Sequence, residues 1–204
     1  MSCFIFTIPH TIQKNNRYKN QQEDKKVRSS AAKNSTVLIA RTAMFTAILI
    51  ALQFVTKALG QIVTGACVNF VLAMCAFTCG IWSATAVAVI SPFCAFLLGI
   101  GTPIISLVPF IGLGNFVYVL VVCLLEGRIK PGRITNLAVI AIAAAAKFLT
   151  LYISVTKIIL PLLGLPEAKT AVLSASFTWP QLITALIGGI TATVVWSRIK
   201  KRSL

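Results

Sequence analysis

QIVTGACVNFVLAMCAFTCGIWSATAVAVISPFCAFLLGIG, residues 61 to 101, would run for about 60 Å as a single α-helix rising ~1.5 Å per residue, twice the ~30 Å of hydrocarbon in a bilayer. It is too long and too apolar to be one span. CGIW at 79–82 offers a turn, so the stretch reads as two helices.

Working outward, a first apolar run precedes it from about Val37 to Leu59, and a fourth follows from about Leu107 to Glu126. EGRIKPGR (126–133) then interrupts with charge, Pro and Gly, a loop signal. A fifth run covers Ile134 to Leu160, PLLGLPEAKT (161–170) makes the next loop, and a sixth covers Val172 to Trp196. The expected fold class is an all-α integral membrane protein: a six-helix transmembrane bundle over 36–204, preceded by a polar, basic tail at 1–35. The opening SCFIFTI has no basic residue before it and is too short for a signal-peptide core, so 1–35 reads as a disordered cytoplasmic tail or a start codon placed too early.

Composition agrees. Of 204 residues, 57% are hydrophobic and 11% charged, whereas water-soluble domains carry roughly 25% charge. The formal charge of +15 comes from 19 Lys and Arg against four acids. Nucleic acid is excluded as the reason, because the basic residues form no stripe interleaved with aromatics. They gather where orientation rules place them. With the N-terminus inside, the cytoplasmic side collects the tail up to Arg41, then Arg128, Lys130 and Arg133, then Arg198, Lys200, Lys201 and Arg202. The outer side receives Lys57, Lys157 and Lys169, so both termini are expected in the cytoplasm.

Cysteines at 3, 67, 75, 79, 94 and 123 lie mostly within apolar runs and read as small hydrophobes. Cys75 and Cys79 are one turn apart, but the one histidine, His10, lies in the tail and no carboxylate adjoins the pair, so neither a metal nor a cofactor is expected.

Lys147 in AIAAAAKFLTLY (141–152) is the anomaly, since a charge at mid-span is costly and marks function by default. Glu126 lies about 20 Å away along the antiparallel hairpin and Glu167 beyond the far end, so neither pairs with it. Three readings stand side by side: an ammonium snorkelling to the interface, one held by backbone carbonyls, or one facing a cavity that takes a polar or anionic solute. At ~100° per residue, Asn136, Lys147, Thr150, Ser154 and Lys157 share an arc of about 80°. The sixth helix keeps Ser174, Thr178, Gln181, Thr184 and Thr191 to one side, and Asn115 and Tyr118 are i, i+3 neighbours on the fourth. Polar stripes on three helices imply a cavity between them. Ala43, Ala47 and Ala51 repeat every four residues on the first helix, which lets another helix approach, and Gly188, Gly189 and Ala192 make a second smooth surface, read as internal.

The strings GQIVTGACVNF (60–70), VPFIGLGNFVYVL (108–120), AAAAKFLTLY (143–152) and FTWPQLITALIGG (177–189), on a chain of this length and span count, resemble the substrate-binding S components of energy-coupling factor (ECF) transporters, in a branch whose substrates are mostly unassigned. The likeness covers about 37–200. It implies a prokaryotic plasma-membrane subunit that binds a vitamin or other micronutrient and works with a membrane coupling subunit and two ATPase subunits. It further implies docking of the coupling subunit on Ala43, Ala47 and Ala51, and substrate held toward the outer half by Asn115, Tyr118, Lys147, Ser154 and Gln181, with Gln61, Thr64 and Asn69 as lid or wall groups. Trp179 falls on the opposite side of its helix from Gln181. Riboflavin-type and biotin-type loop sequences are absent, and Lys147 and Lys157 favour a ligand carrying carboxylate or phosphate, such as pantothenate-like acids.

Two other classes are weighed against this. The chain has no GxxxxGK[ST] loop for hydrolysing ATP itself, and its span interiors lack Asp, Glu and His for a proton relay, leaving a stand-alone ion-coupled carrier using carbonyls and hydroxyls as the rival. An enzyme would need a nucleophile with a base, and Ser154 and Lys147 stand ~10 Å apart along the helix, too far for proton transfer.

Overall fold

In lipid no water reaches backbone N–H and C=O groups, so an apolar segment must close its hydrogen bonds within itself, and the helix does so residue by residue. The computed structural model describes residues 35–126, 128 and 133–202, and among these it is helical with no strand. Five helices are long and apolar enough to cross a membrane: Ser35–Leu59, Gln61–Leu97, Ile105–Glu126, Ile134–Leu162 and Glu167–Lys201. The tail expected at 1–35 lies outside the described residues up to residue 34, as do His10 and Lys130. Two units are distinguished, Met1–Ala40 and Arg41–Leu204. Of the first, residues 35–40 are helical and exposed; the rest of the described residues belong to the second.

Helix α1 (Ser35–Leu59) ends in a 3-10 turn at Lys57–Leu59, and α2 follows as Gln61–Leu97. Drawn straight, 37 residues would separate the ends of α2 by ~55 Å. Instead Gly80, within CGIW, adopts φ 77° and ψ −174°, a conformation open to glycine because it lacks a β-carbon. The two arms, 61–79 and 81–97, fold back so that Gln61 and Phe96 line one cavity, and Lys57 Nζ donates to the Gly99 carbonyl at 2.6 Å.

Helix α3 (Val108–Glu126) is led by a 3-10 turn at Ile105–Leu107. Helix α4 (Arg133–Leu151) runs on as a π-helix at Tyr152–Ile159 and a last turn at Leu160–Leu162. The wider π turns shift which side chains face inward. Ser154 is buried while Lys157 is exposed, its Nζ 5.4 Å from the Tyr152 ring centroid, so the stripe expected on one face divides at this point. The chain continues as α5 (Glu167–Ser176) and α6 (Trp179–Arg202). Two expectations are corrected here. PLLGLPEAKT is loop only in its middle, because Pro166 caps a helix starting at Glu167. The sixth run is two helices, broken at Phe177 and Thr178 just before Pro180, so Ser174 and Gln181 do not share a helical face; Thr191 is exposed and donates to the Ile187 carbonyl.

Small residues set the packing. A β-carbon at Gly188 would run into the backbone of Ala66 and Phe70, which places α6 directly against the first arm of α2. One at Gly189 would strike Ile140 and the Tyr118 hydroxyl, and one at Gly114 would sit 2.7 Å from Leu151. Leu72, Cys75, Val119, Ile140, Ala144 and Ala185 fill the core between these contacts, and Leu107, Leu151, Val155 and Phe177 form a smaller cluster toward the α3 N-terminus. Large apolar side chains cover the outside as well: Phe54 and Val55 on α1, Trp82 and Leu97 on α2, Ile142 and Leu149 on α4, Ile187 and Ile190 on α6. Surface of that extent belongs against lipid.

Candidate functional site

Ala143 and Ala144 on α4 are fully buried, and the absence of bulk there lets α3 and α6 close around the helix. One turn on, Lys147 enters the same interior and is 2% exposed. Its Nζ donates to Asn69 Oδ1 and to Asn115 Oδ1, each at 2.7 Å, and stands 5.7 Å from the Tyr118 ring centroid. The asparagines come from α2 and α3, so three helices meet at one ammonium. Asn69 is oriented for this: its Nδ2 donates to the Gly65 carbonyl at 2.8 Å and lies 3.4 Å from Thr184 Oγ1, which turns the side-chain carbonyl toward the amine. Among the described residues the acids lie elsewhere. Glu126 lies by Trp196 and Lys200, and Glu167 borders a shallow pocket with Leu160, Pro161 and Thr170.

Two amide carbonyls partly replace the water an ammonium would have, and charge-assisted bonds of this kind are worth roughly 1.5–3 kcal/mol each. They supply no negative charge. Of the three readings of Lys147, the amine neither extends to the surface nor rests on backbone carbonyls; it is held by side chains at the wall of a cavity.

That cavity holds about 470 Å³, within the range of small-molecule sites. Its apolar wall includes Val68, Pro92, Phe96, Val108, Ile111 and Phe177. Lys147, Asn115, Asn69, Gln61, Thr64 and Gln181 all line it. Tyr118 does not: it is fully buried behind the lysine, with its hydroxyl donating to the Ala185 carbonyl at 3.4 Å. Ser154 does not either, since its hydroxyl donates to the Thr150 carbonyl. Nor is the hollow framed chiefly by the fourth, fifth and sixth apolar runs: α1 and both arms of α2 supply much of the wall, and α4 contributes Lys147 alone.

At the mouth, Gln61 Nε2 donates to the Ser176 carbonyl at 2.7 Å and Gln181 Nε2 to the same oxygen at 3.3 Å, tying the start of α2 to the α5–α6 break. Thr64 Oγ1 donates to the Thr56 carbonyl at 2.9 Å. Trp179 points outward at 67% exposed, stacked on Phe148 at 5.8 Å between ring centroids. Ala43, Ala47 and Ala51 are exposed on α1, whereas Gly188, Gly189 and Ala192 face inward.

Sequence reasoning passed over Gln53 and Ser91, both buried and both lining the cavity. A signal existed for Gln53: with Leu49 and Thr56 it marks the buried i, i+4, i+7 edge of α1. Ser91 gave less, standing in an apolar arm beside Pro92. Lys147 and Ser154 hydrogen-bond to different groups, and among the described residues no group of three His, Cys, Asp or Glu is placed to hold a metal ion.

Several bilayer-length helices, an apolar exterior and a part-polar hollow within define a multi-pass α-helical membrane protein with a solute-sized cavity. No protein-family model, curated protein or solved structure matches the chain.

Proposed function

We propose that the chain is the substrate-binding S component of an ATP-driven, ECF-type importer in a prokaryotic plasma membrane, and that it takes up a vitamin or other small micronutrient. One observation carries this reading: a buried lysine with no carboxylate partner among the described residues, fixed by Asn69 and Asn115 at the wall of a cavity of about 470 Å³. A charge kept in the membrane without countercharge marks a substrate path by default.

Counting each arm of α2 as a crossing gives six, which leaves both termini on the cytoplasmic, Lys- and Arg-rich side. The outward alanine face of α1 is the docking surface for the coupling subunit, and two separate ATPase subunits supply the energy. The experiment is transport by proteoliposomes. This protein alone binds solute without accumulating it, and accumulation requires ATP with the other subunits. Uptake by this protein alone, abolished when an ion gradient is collapsed, would make it the stand-alone carrier instead.

A further inference from the structure

Among the described residues, three buried side-chain atoms have no hydrogen-bond partner: Gln53 Oε1, Ser91 Oγ and Thr156 Oγ1. Two of the three belong to residues that line the cavity, Gln53 at 9% exposed and Ser91 at 1%. Buried polar atoms are almost always satisfied, so a pair of orphans on one cavity wall marks where something else completes the bonding.

These residues also share a level. Gln53 lies six residues before the end of α1, Asn69 eight after the start of α2, Ser91 six before its end, and Asn115 seven after the start of α3. At ~1.5 Å per residue, all four stand about 9–12 Å in from the same end of the bundle. They form one polar belt inside the chamber, and Lys147 joins it through both asparagines.

Each member states what it lacks. Gln53 Oε1 only accepts, so its partner must bring an N–H or O–H. Ser91 Oγ accepts or donates. The Lys147 ammonium has three protons, two of them committed to asparagine carbonyls, leaving one donor and a single charge that no carboxylate among the described residues balances. The other cation at the cavity, Lys57, is exposed and donates to the Gly99 carbonyl. One buried positive charge suits one negative charge, not the two of a phosphomonoester.

We propose that the cavity selects a monocarboxylate that also bears amide or hydroxyl donors: the carboxylate meets Lys147, the donors meet Gln53 and Ser91, and the carbon body lies against Val68, Phe96 and Ile111. This rests on the solute-binding reading above and adds the ligand class and two specificity-determining residues.

The test uses the purified full chain in nanodiscs, incubated with an equimolar mixture of four compound sets: pantothenate and other hydroxy- and amido-monocarboxylates, their neutral alcohol and amide counterparts, phosphomonoesters, and unsubstituted fatty acids. Native mass spectrometry reads which mass stays bound. The retained compounds are expected to come from the first set, with retention weakened about tenfold by Ser91→Ala and by Gln53→Leu, the worth of roughly one hydrogen bond each. Thermal stability of the ligand-free variants is expected to match the parent, because neither atom has a partner to lose. Retention of a neutral compound, a phosphomonoester or a plain fatty acid would overturn the ligand class while leaving solute binding standing. Equal retention by parent and variants would make the orphan atoms water sites, and variants destabilised before any ligand is added would make them structural; either overturns the assignment. Retention of nothing by the parent chain overturns this inference together with the solute-binding reading.

Discussion

Lys147 and Asn69 lie 78 positions apart and are joined by a 2.7 Å hydrogen bond inside the membrane-spanning bundle, with Asn115 completing the pair of acceptors. Each carbonyl stabilises a charge that has left water, so the three residues act as a unit. Asn69→Leu or Asn115→Leu is expected to destabilise the protein by about 2–3 kcal/mol in reversible unfolding from detergent micelles. Combined with Lys147→Met, either loss should shrink below ~1 kcal/mol, because no charge remains to be stranded. Additive losses would show the asparagines packing independently of the lysine.

Gly188 faces the backbone of α2 with no room for a side chain. Gly188→Val should therefore force α6 off the first arm of α2, costing about 3 kcal/mol or more. Melting of the purified variant is the check. Unchanged stability would mean the two helices are not in contact there.

Ala47 is exposed on α1, so enlarging it disturbs nothing inside the bundle. Ala47→Leu should leave melting temperature and solute retention at parental values while abolishing copurification with the coupling subunit. Retained assembly would remove the docking role of this face.

Gln61 Nε2 holds the Ser176 carbonyl across the mouth of the cavity. Gln61→Ala should speed solute release several-fold with little change in the association rate, as loss of one hydrogen bond of about 1 kcal/mol would do. Stopped-flow exchange separates the two rates. An unaltered release rate would show that this contact does not gate the cavity.

The fold-back of α2 has a consequence for sidedness. With Cys79 as the sole cysteine, a membrane-impermeant maleimide should label from the cytoplasmic side, and with a single Thr102→Cys it should label from outside. Labelling of both from one side would rule out two crossings for α2.

Much of this was legible in the sequence. The 61–101 run exceeded one bilayer, and CGIW contained the glycine that turns it. Lys147 and Asn115 stood out as polar residues in apolar runs, Asn69 entered only as a lid or wall group through the family resemblance, and the structure brings the three together. What stayed hidden has physical causes. Helix α2 is apolar on all sides, so no periodicity indicates which face meets the cavity. The π stretch at Tyr152–Ile159 leaves no compositional trace, yet it separates Ser154 from Lys157. The break at Phe177 and Thr178 preceded a visible Pro180, but a proline in the first turn also suits an uninterrupted run, and packing decides between them. Gln53 and Ser91 gained meaning only once the fold placed them with Lys147 in the lining of one cavity.

Native mass spectrometry of the parent chain and of Lys147→Met, purified side by side from the same growth, tests the central claim most directly. The parent should carry one small polar molecule as a discrete added mass, and the variant, equally monodisperse, should be bare. A parent with no bound solute, or a bound mass that survives loss of the lysine, would contradict the account.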